Sequence, residues 1–445
     1  MKFVVVQMEI SSVNNSAANI SRRHFLQSSA AALGVLLVGC HADKSPSSSL
    51  ATKLGNLRAF METQRAGGLF PGAVWLVAQG DDVAVDMIGA QAIGGTAPMQ
   101  RDTIFRIASM TKPVTAACVM MLIDEGKVEL DAPVHRWLPE LANRRVLRRI
   151  DGPLDDTVPA KRDITVRDLL ANTLGFGMPF NIPNPPIQQR VDELQLVIGK
   201  PVPLTPHSPD EWIKRFATLP LMHQPGEAWL YTAGSVIQGL LVRRASGKDL
   251  DAFMRERIFE PLGMKDTGFF VPLDKLGRYA GCGEFTEPGG KTRIDQDGAQ
   301  SVYAKPPVFP AGDAGLVSTV DDYLMFARML VNGGKHGNKQ ILRAESVREM
   351  TRDQITPEQK LASAKNFFPN FFDKQSWGYG LSIYTIPDAV SLVPGRYGWI
   401  GGFGTSFIVD PNRNLINIVM TQSTDFLFNG ALDRFSSELY TATSV

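Results

Sequence analysis

The chain has 445 residues, 44 % of them apolar and 20 % charged, with 46 Lys and Arg against 45 Asp and Glu; this is an ordinary globular balance in a chain long enough to bury a large core. A net charge of +1 leaves no electrostatic footprint for nucleic acid. Three cysteines, Cys40, Cys118 and Cys282, set out no disulfide framework.

The first forty residues read as an address. "SRRHFLQ" (21–27) precedes the apolar run "AAALGVLLV" and then Gly39-Cys40, a basic segment followed by a stretch too short to span a bilayer. Arg22 and Arg23 with Phe25 and Leu26 resemble a twin-arginine signal, and "LVGC" resembles a bacterial lipobox, in which Cys40 would be acylated. The expectation is export to a periplasmic or cell-surface position, with a lipid anchor at Cys40, a signal over 1–40 and a flexible Ser/Pro tether over 41–52. Met1 and Met8 are both candidate starts.

Leu54, Leu57, Phe60 and Met61 recur at helical spacing over 53–66. "GAVWLVAQ" and "VAVDMIG" flank the turn "GDD" and read as a hairpin. After Ser109 the run "VTAACVMMLIDEG" is apolar nearly all round and ends at Gly126, which predicts a central buried helix with Pro113 in its first turn and Cys118 as a core residue. The cluster Arg144–Arg149 sits beside "DGPLDD" and reads as a solvated face. From there to about residue 300 short helices alternate with Pro/Gly-rich loops, which suit a substrate entrance. "YGLSIYTI", "YGWIGG", "GTSFIVDP" and "NLINIVMTQ" return to strands, with turn residues at 410–414, and "ALDRFSSELYTA" closes as a helix. The pattern predicts an α/β (α+β) domain over 53–445. Its antiparallel sheet is built from both ends of the chain and flanked by helices (about 53–112 and 301–445), with a mainly helical lobe inserted at about 113–300.

Ser109 stands three residues before Lys112 at the junction of a strand-like and a helix-like run, and no other lysine in the chain has a serine at that spacing. Residues three apart share a helix face. A serine hydroxyl needs an adjacent base, and a lysine serves as one when burial depresses its pKa. By itself the pair fits two polar residues at a helix start equally well.

The segment "HQPGEAWLYTAGSVIQGLL" places Tyr231 after a Pro-Gly turn, and "YGWIGGFGTSFIVDP" places Trp399-Ile400-Gly401-Gly402 on a glycine-rich strand edge. With Ser109 and Lys112 these resemble the serine β-lactamase and penicillin-binding-protein-like hydrolases, above all the class C β-lactamases and family VIII carboxylesterases. "ITVRDLLANTLGFG" and "FPAGDAGLVSTVDDYLMFARMLVNGG" extend the likeness over about 53–440. The resemblance implies Ser109 as nucleophile, Lys112 as base and Tyr231 as proton relay. It further implies Trp399 and Gly401 in the strand motif, with the N–H of Gly402 completing an oxyanion hole with that of Ser109. No cofactor or metal is implied.

Two departures bear on the substrate. Ala233 stands where the β-lactamases carry an asparagine after the tyrosine, and Trp399 stands where they carry a lysine. Both favour small uncharged acyl substrates and hence an esterase, while a β-lactamase, a peptidase of D-amino-acid or linear peptides and an acyltransferase remain open. A non-turnover sensor of the cell wall would hold an acyl group without needing the base. No G-x-S-x-G nucleophile elbow is present, and His24, His41, His135, His207, His223 and His336 are scattered without metal-ligand spacing. The oligomeric state is not legible in these residues.

Overall fold

Alternate side chains of a strand point to opposite faces, and in this chain both faces of the principal strands are apolar. The computed structural model describes residues 50–180, 182–200, 205–282, 284–287, 290–293, 298–363 and 370–443. The paired arginines, the apolar run, Cys40 and most of the tether lie outside the described residues. Seven strands form one antiparallel sheet: β1 (Gly72–Gln79), β2 (Asp82–Gly89), β3 (Gln375–Trp377), β4 (Ser382–Tyr384), β5 (Tyr397–Gly401), β6 (Thr405–Asp410) and β7 (Leu415–Met420), in the order β3-β4-β5-β6-β7-β1-β2. The sheet thus joins the two ends of the chain through the β1–β7 pairing, in which Val74 faces Met420 and Leu76 faces Ile418.

The principal helices are α1 (Gly55–Ala66); α2 (Thr111–Asp124); α3 (Ala233–Ser246), which packs on α2; α4 (Val320–Val331), which packs on β7 and β1; and α5 (Ala431–Ala442). Trp75 and Val77 of β1 meet Leu57 and Met61 of α1 and Phe435 and Leu439 of α5 on one face. Val74, Leu76 and Ala78 face the larger core on the other, with α2, α3 and α4. One-residue alternation thereby assigns β1 to two separate cores. The hairpin, the buried helix after Ser109, the last two strands and the closing helix stand where the sequence predicts them.

Twelve of the fourteen residues of α2 are buried, and so are the first ten of α3. Between these two helices runs a turn at 311–314, closed by the Gly315 N–H on the Ala311 carbonyl at 3.2 Å. A Cβ on Gly312 would lie 2.5 Å from the Ser235 carbonyl oxygen and 2.8 Å from Thr115 Cγ2, so only glycine admits the approach. Thr115 Oγ1 donates to the Gly312 carbonyl at 2.7 Å and fixes the depth of insertion.

The basic cluster is not a uniform solvated face. Arg145, Arg148 and Arg149 reach the surface, but Arg144 is 8 % exposed, and both its Nη atoms donate to the carbonyls of Ala217 and Leu219. Burial lowers its pKa to about 10. A planar guanidinium with several donors suits a site that presents two carbonyls at a loop, a demand set by distant residues and hence unreadable from local charge. Arg144→Ala strands those carbonyls and is expected to lower the unfolding free energy by about 2–3 kcal/mol. Arg148→Ala, at a side chain 61 % exposed, should leave the urea midpoint almost unmoved; coincident midpoints for the two variants would refute the assignment.

Candidate active site

Phe105–Arg106 pairs with Val317–Ser318 and delivers the chain into a single 3-10 turn, Ala108–Met110, ahead of α2. Ser109 therefore sits in a tight turn one step before the helix, and Lys112 occupies the first helical turn. Ala108 has φ +41°, a left-handed conformation that alanine adopts only under constraint. The constraint is visible on both sides: Ile107 N–H donates to Leu316 O at 3.0 Å, and Tyr323 O–H donates to Met110 O at 2.7 Å.

Lys112 is 1 % exposed. Its Nζ lies 3.0 Å from Ser109 Oγ and donates to the Asp313 backbone carbonyl at 2.7 Å, with the Tyr231 ring centroid 4.5 Å away. Burial lowers its pKa to about 8, against the opposing charge of Asp313. A lysine in this state holds a substantial neutral fraction near physiological pH.

Tyr231 precedes α3, and the backbone bends sharply after it, Thr232 having φ +91°. The Trp399 indole N–H donates to the Tyr231 hydroxyl at 2.8 Å, and the same hydroxyl is hydrogen-bonded with Ser109. Burial pushes the phenol well above the usual tyrosine range, a shift these two hydrogen bonds oppose. Trp229, Trp377, Phe371 and Phe180 surround the ring pair. Trp399, which the sequence suggests as a face for the substrate, is 4 % exposed; its clearest polar contact is with Tyr231, although it also borders the cavity.

Gly401 ends β5 against the chain that leads to Ser109. A Cβ there would fall 2.2 Å from Ile107 O and 2.3 Å from Thr405 Oγ1, so glycine sets the spacing between the strand edge and the Ser109 turn. Gly402 follows, its carbonyl held by Thr424 Oγ1 at 2.7 Å. Ser109, Tyr231, Trp399 and Gly402 border one cavity of about 180 Å³, whose other walls include Met178, Phe180, Ile400 and Leu427. Ala233 is fully buried at the start of α3 and is not among the residues lining that cavity.

Asp313 is the residue that sequence reasoning missed. Asp313 is 1 % exposed and borders the same cavity, and its carboxyl accepts from Thr232 Oγ1 at 3.3 Å. An acidic residue inside "FPAGDAGLV" carries no periodic signal; the glycine beside it was the available clue to a close approach. Among the described residues, no group of three or more His, Cys, Asp or Glu side chains converges as a metal site requires.

The Beta-lactamase family model matches residues 57–440. Protein Rv1367c of Mycobacterium tuberculosis is 38 % identical over 379 residues, which cover 83 % of this chain and 89 % of that protein. Esterase EstB of Burkholderia gladioli is 29 % identical over 342 residues, covering 73 % and 79 %. Among solved structures, "EstCE1, a hydrolase with promiscuous acyltransferase activity" aligns with a TM-score of 0.70 at 23 % identity, over 88 % of this chain and 98 % of that one, a likeness of fold. Sheet, helices and family match agree, and the chain belongs to the Beta-lactamase family of serine hydrolases and acyltransferases.

Proposed function

We propose that this protein is an esterase that hydrolyses uncharged carboxylic esters through an acyl-Ser109 intermediate. The observation that carries the reading is the 3.0 Å contact between the Ser109 hydroxyl and an almost fully buried lysine. Neutral Lys112 takes the hydroxyl proton as Oγ attacks the ester carbonyl, and the backbone N–H groups of Ser109 and Gly402 stabilise the oxyanion. The proton then passes by way of Tyr231 to the leaving alkoxide as the ester C–O bond breaks. Water retraces the path to free the acid.

Tyr231 is assigned the relay and not the base because burial raises its pKa above the usual range while that of Lys112 falls to about 8. The indole N–H, a donor only, occupies one acceptor position of the phenol, whose hydroxyl is also hydrogen-bonded with Ser109. Lys200, the cation at the cavity border, is ion-paired with Asp192 at 3.4 Å, and the largely apolar walls favour an uncharged acyl group over a carboxylate-bearing lactam. The printed name of the EstB relative supports the same class. Export through the twin-arginine-type segment and acylation of Cys40 complete the proposal; they rest on the sequence signals of residues 21–40.

Nitrophenyl esters are expected to turn over faster than a chromogenic cephalosporin or D-alanyl peptides, and the cephalosporin winning would overturn the substrate assignment. Ser109→Ala should lower ester turnover by roughly four orders of magnitude and abolish fluorophosphonate labelling; labelling that survives refutes the nucleophile. Because the base must lose its proton, kcat/KM for an ester is expected to climb with pH through a midpoint of about 8. A profile flat from about pH 6 to 10 would count against Lys112. In cells, Cys40→Ala should eliminate metabolic fatty-acid labelling and release the protein from membranes, and labelling retained in that variant would remove the anchor.

A further inference from the structure

We infer that Asp313 is a positioning residue of this site, whose carboxylate sets the pH at which Lys112 becomes a base and ties together the turns that carry Tyr231 and the acyl pocket. The inference rests on the reading of Lys112 as the base. Asp313 reaches the site only because Gly312 lets the chain pass between α2 and α3, with the Thr115 hydroxyl gripping the Gly312 carbonyl.

Two parts of Asp313 act on two different neighbours. Its backbone carbonyl accepts from Lys112 Nζ at 2.7 Å and aims the amine at Ser109. Its carboxyl accepts from Thr232 Oγ1 at 3.3 Å and from the backbone N–H groups of Asp313 and Gly199. Thr232 directly follows Tyr231 and carries the strained φ of +91°, while Gly199, at φ +79°, lies on the wall of the cavity. A conformation of that kind persists where surrounding contacts over-determine it, and Thr232 is held both by the Asp313 carboxyl and by its own carbonyl, which accepts from Ser235 N–H at 3.0 Å.

Charge adds the second effect. Among the described residues, Asp313 is the charged group that acts on Lys112, and Lys112 is the charged group that acts on Asp313. Tyr231, the third titratable group packed there, stays neutral through the range in question. Lys200 borders the cavity but is engaged by Asp192. Burial raises the pKa of Asp313, an effect that the charge of Lys112 and the hydrogen bonds to its carboxyl oppose; in its ionised form, in this buried site, the carboxylate favours the ammonium over the amine. Burial therefore lowers the lysine and Asp313 restrains how far it falls, which keeps Lys112 protonated enough to return a proton after it has taken one.

The test is the pH dependence of kcat/KM on a nitrophenyl ester for the wild type, Asp313→Asn, Asp313→Ser and Asp313→Glu, each checked for a cooperative thermal transition. Both neutral variants are expected to lower kcat and to move the ascending limb to lower pH by about one unit, so that their rate about two units below the wild-type midpoint rises roughly tenfold relative to their own plateau. Asp313→Glu should keep the limb near its wild-type position. A residue that merely holds the fold would lower the rate without moving the limb. An unmoved limb in both neutral variants overturns the inference while leaving Lys112 as the base, and so does the failure of both to fold, which would make Asp313 structural. Absence of any limb in the wild type refutes the assignment of Lys112 first and this inference with it.

Discussion

A lysine ammonium buried away from water is unfavourable, and most of the architecture around the cavity follows from how this chain accommodates Lys112. The amine has three places to direct its hydrogens: the Asp313 carbonyl, the Ser109 hydroxyl and the face of Tyr231. Each comes from a different part of the sequence. The turn before α2 supplies the hydroxyl, the turn at 311–314 supplies the carbonyl, and the turn before α3 supplies the ring. Closing these three pieces on one side chain demands small residues where backbones approach, which is the physical meaning of Gly312 and Gly401 in their places.

The same reasoning explains the wall of aromatic residues. Trp399 and Trp377 meet edge to face at 4.6 Å between centroids, and Trp229 stacks on Phe371 at 5.6 Å. Such rings have few rotatable bonds and lock one another, so Tyr231 is held by packing as well as by the Trp399 N–H. A proton relay requires its hydroxyl to stay within hydrogen-bond reach of two partners at once. Rigid aromatic cover would meet that need in the proposed mechanism without placing another charge beside Lys112, whose titration such a charge would disturb.

That Ser109, Lys112, Tyr231 and the Trp399–Gly402 edge stand out in the sequence follows from signals that are local, and the structure brings these residues together. Ser109 and Lys112 share a helical spacing, Tyr231 follows a Pro-Gly turn, and Trp399 to Gly402 form a glycine-rich strand edge; each pattern lies within a few residues. The sheet was legible for a related reason, since the β1 and β7 runs are apolar at nearly every position. What escaped depends on contacts between distant segments. Asp313 lies far along the chain from Lys112, and its carboxyl is bound by Thr232 and Gly199, so no window of sequence contains its environment. Arg144 looked like one member of a basic surface patch because the carbonyls of Ala217 and Leu219 that bury it are more than seventy residues away. Trp399 does border the cavity, as its apolar type suggests, but the indole N–H that reaches Tyr231 depends on a residue 168 positions away.

Burial of Lys112 also links function to stability with a definite sign. Its folded pKa of about 8 lies below its ordinary value of 10.5. Below about pH 8 the folded and unfolded chains both carry the proton, and the folded state bears the whole cost of enclosing it. As pH rises from 8 to 10.5 the folded lysine is already neutral while the unfolded one still sheds its proton, so the penalty is progressively relieved. The protein is therefore least favoured by this residue below about pH 8, where Lys112 is protonated. The remaining contacts must absorb that penalty: the two-faced packing of β1, the interlocked helices α2 and α3, and the tie from Asp313 to Thr232. The strain at Ala108 and Thr232 adds to the same burden, and the two positions directly adjoin Ser109 and Tyr231. Stability spent at one cavity and recovered in the surrounding cores is what keeps Ser109, Lys112 and Tyr231 in a geometry that an unconstrained chain would abandon.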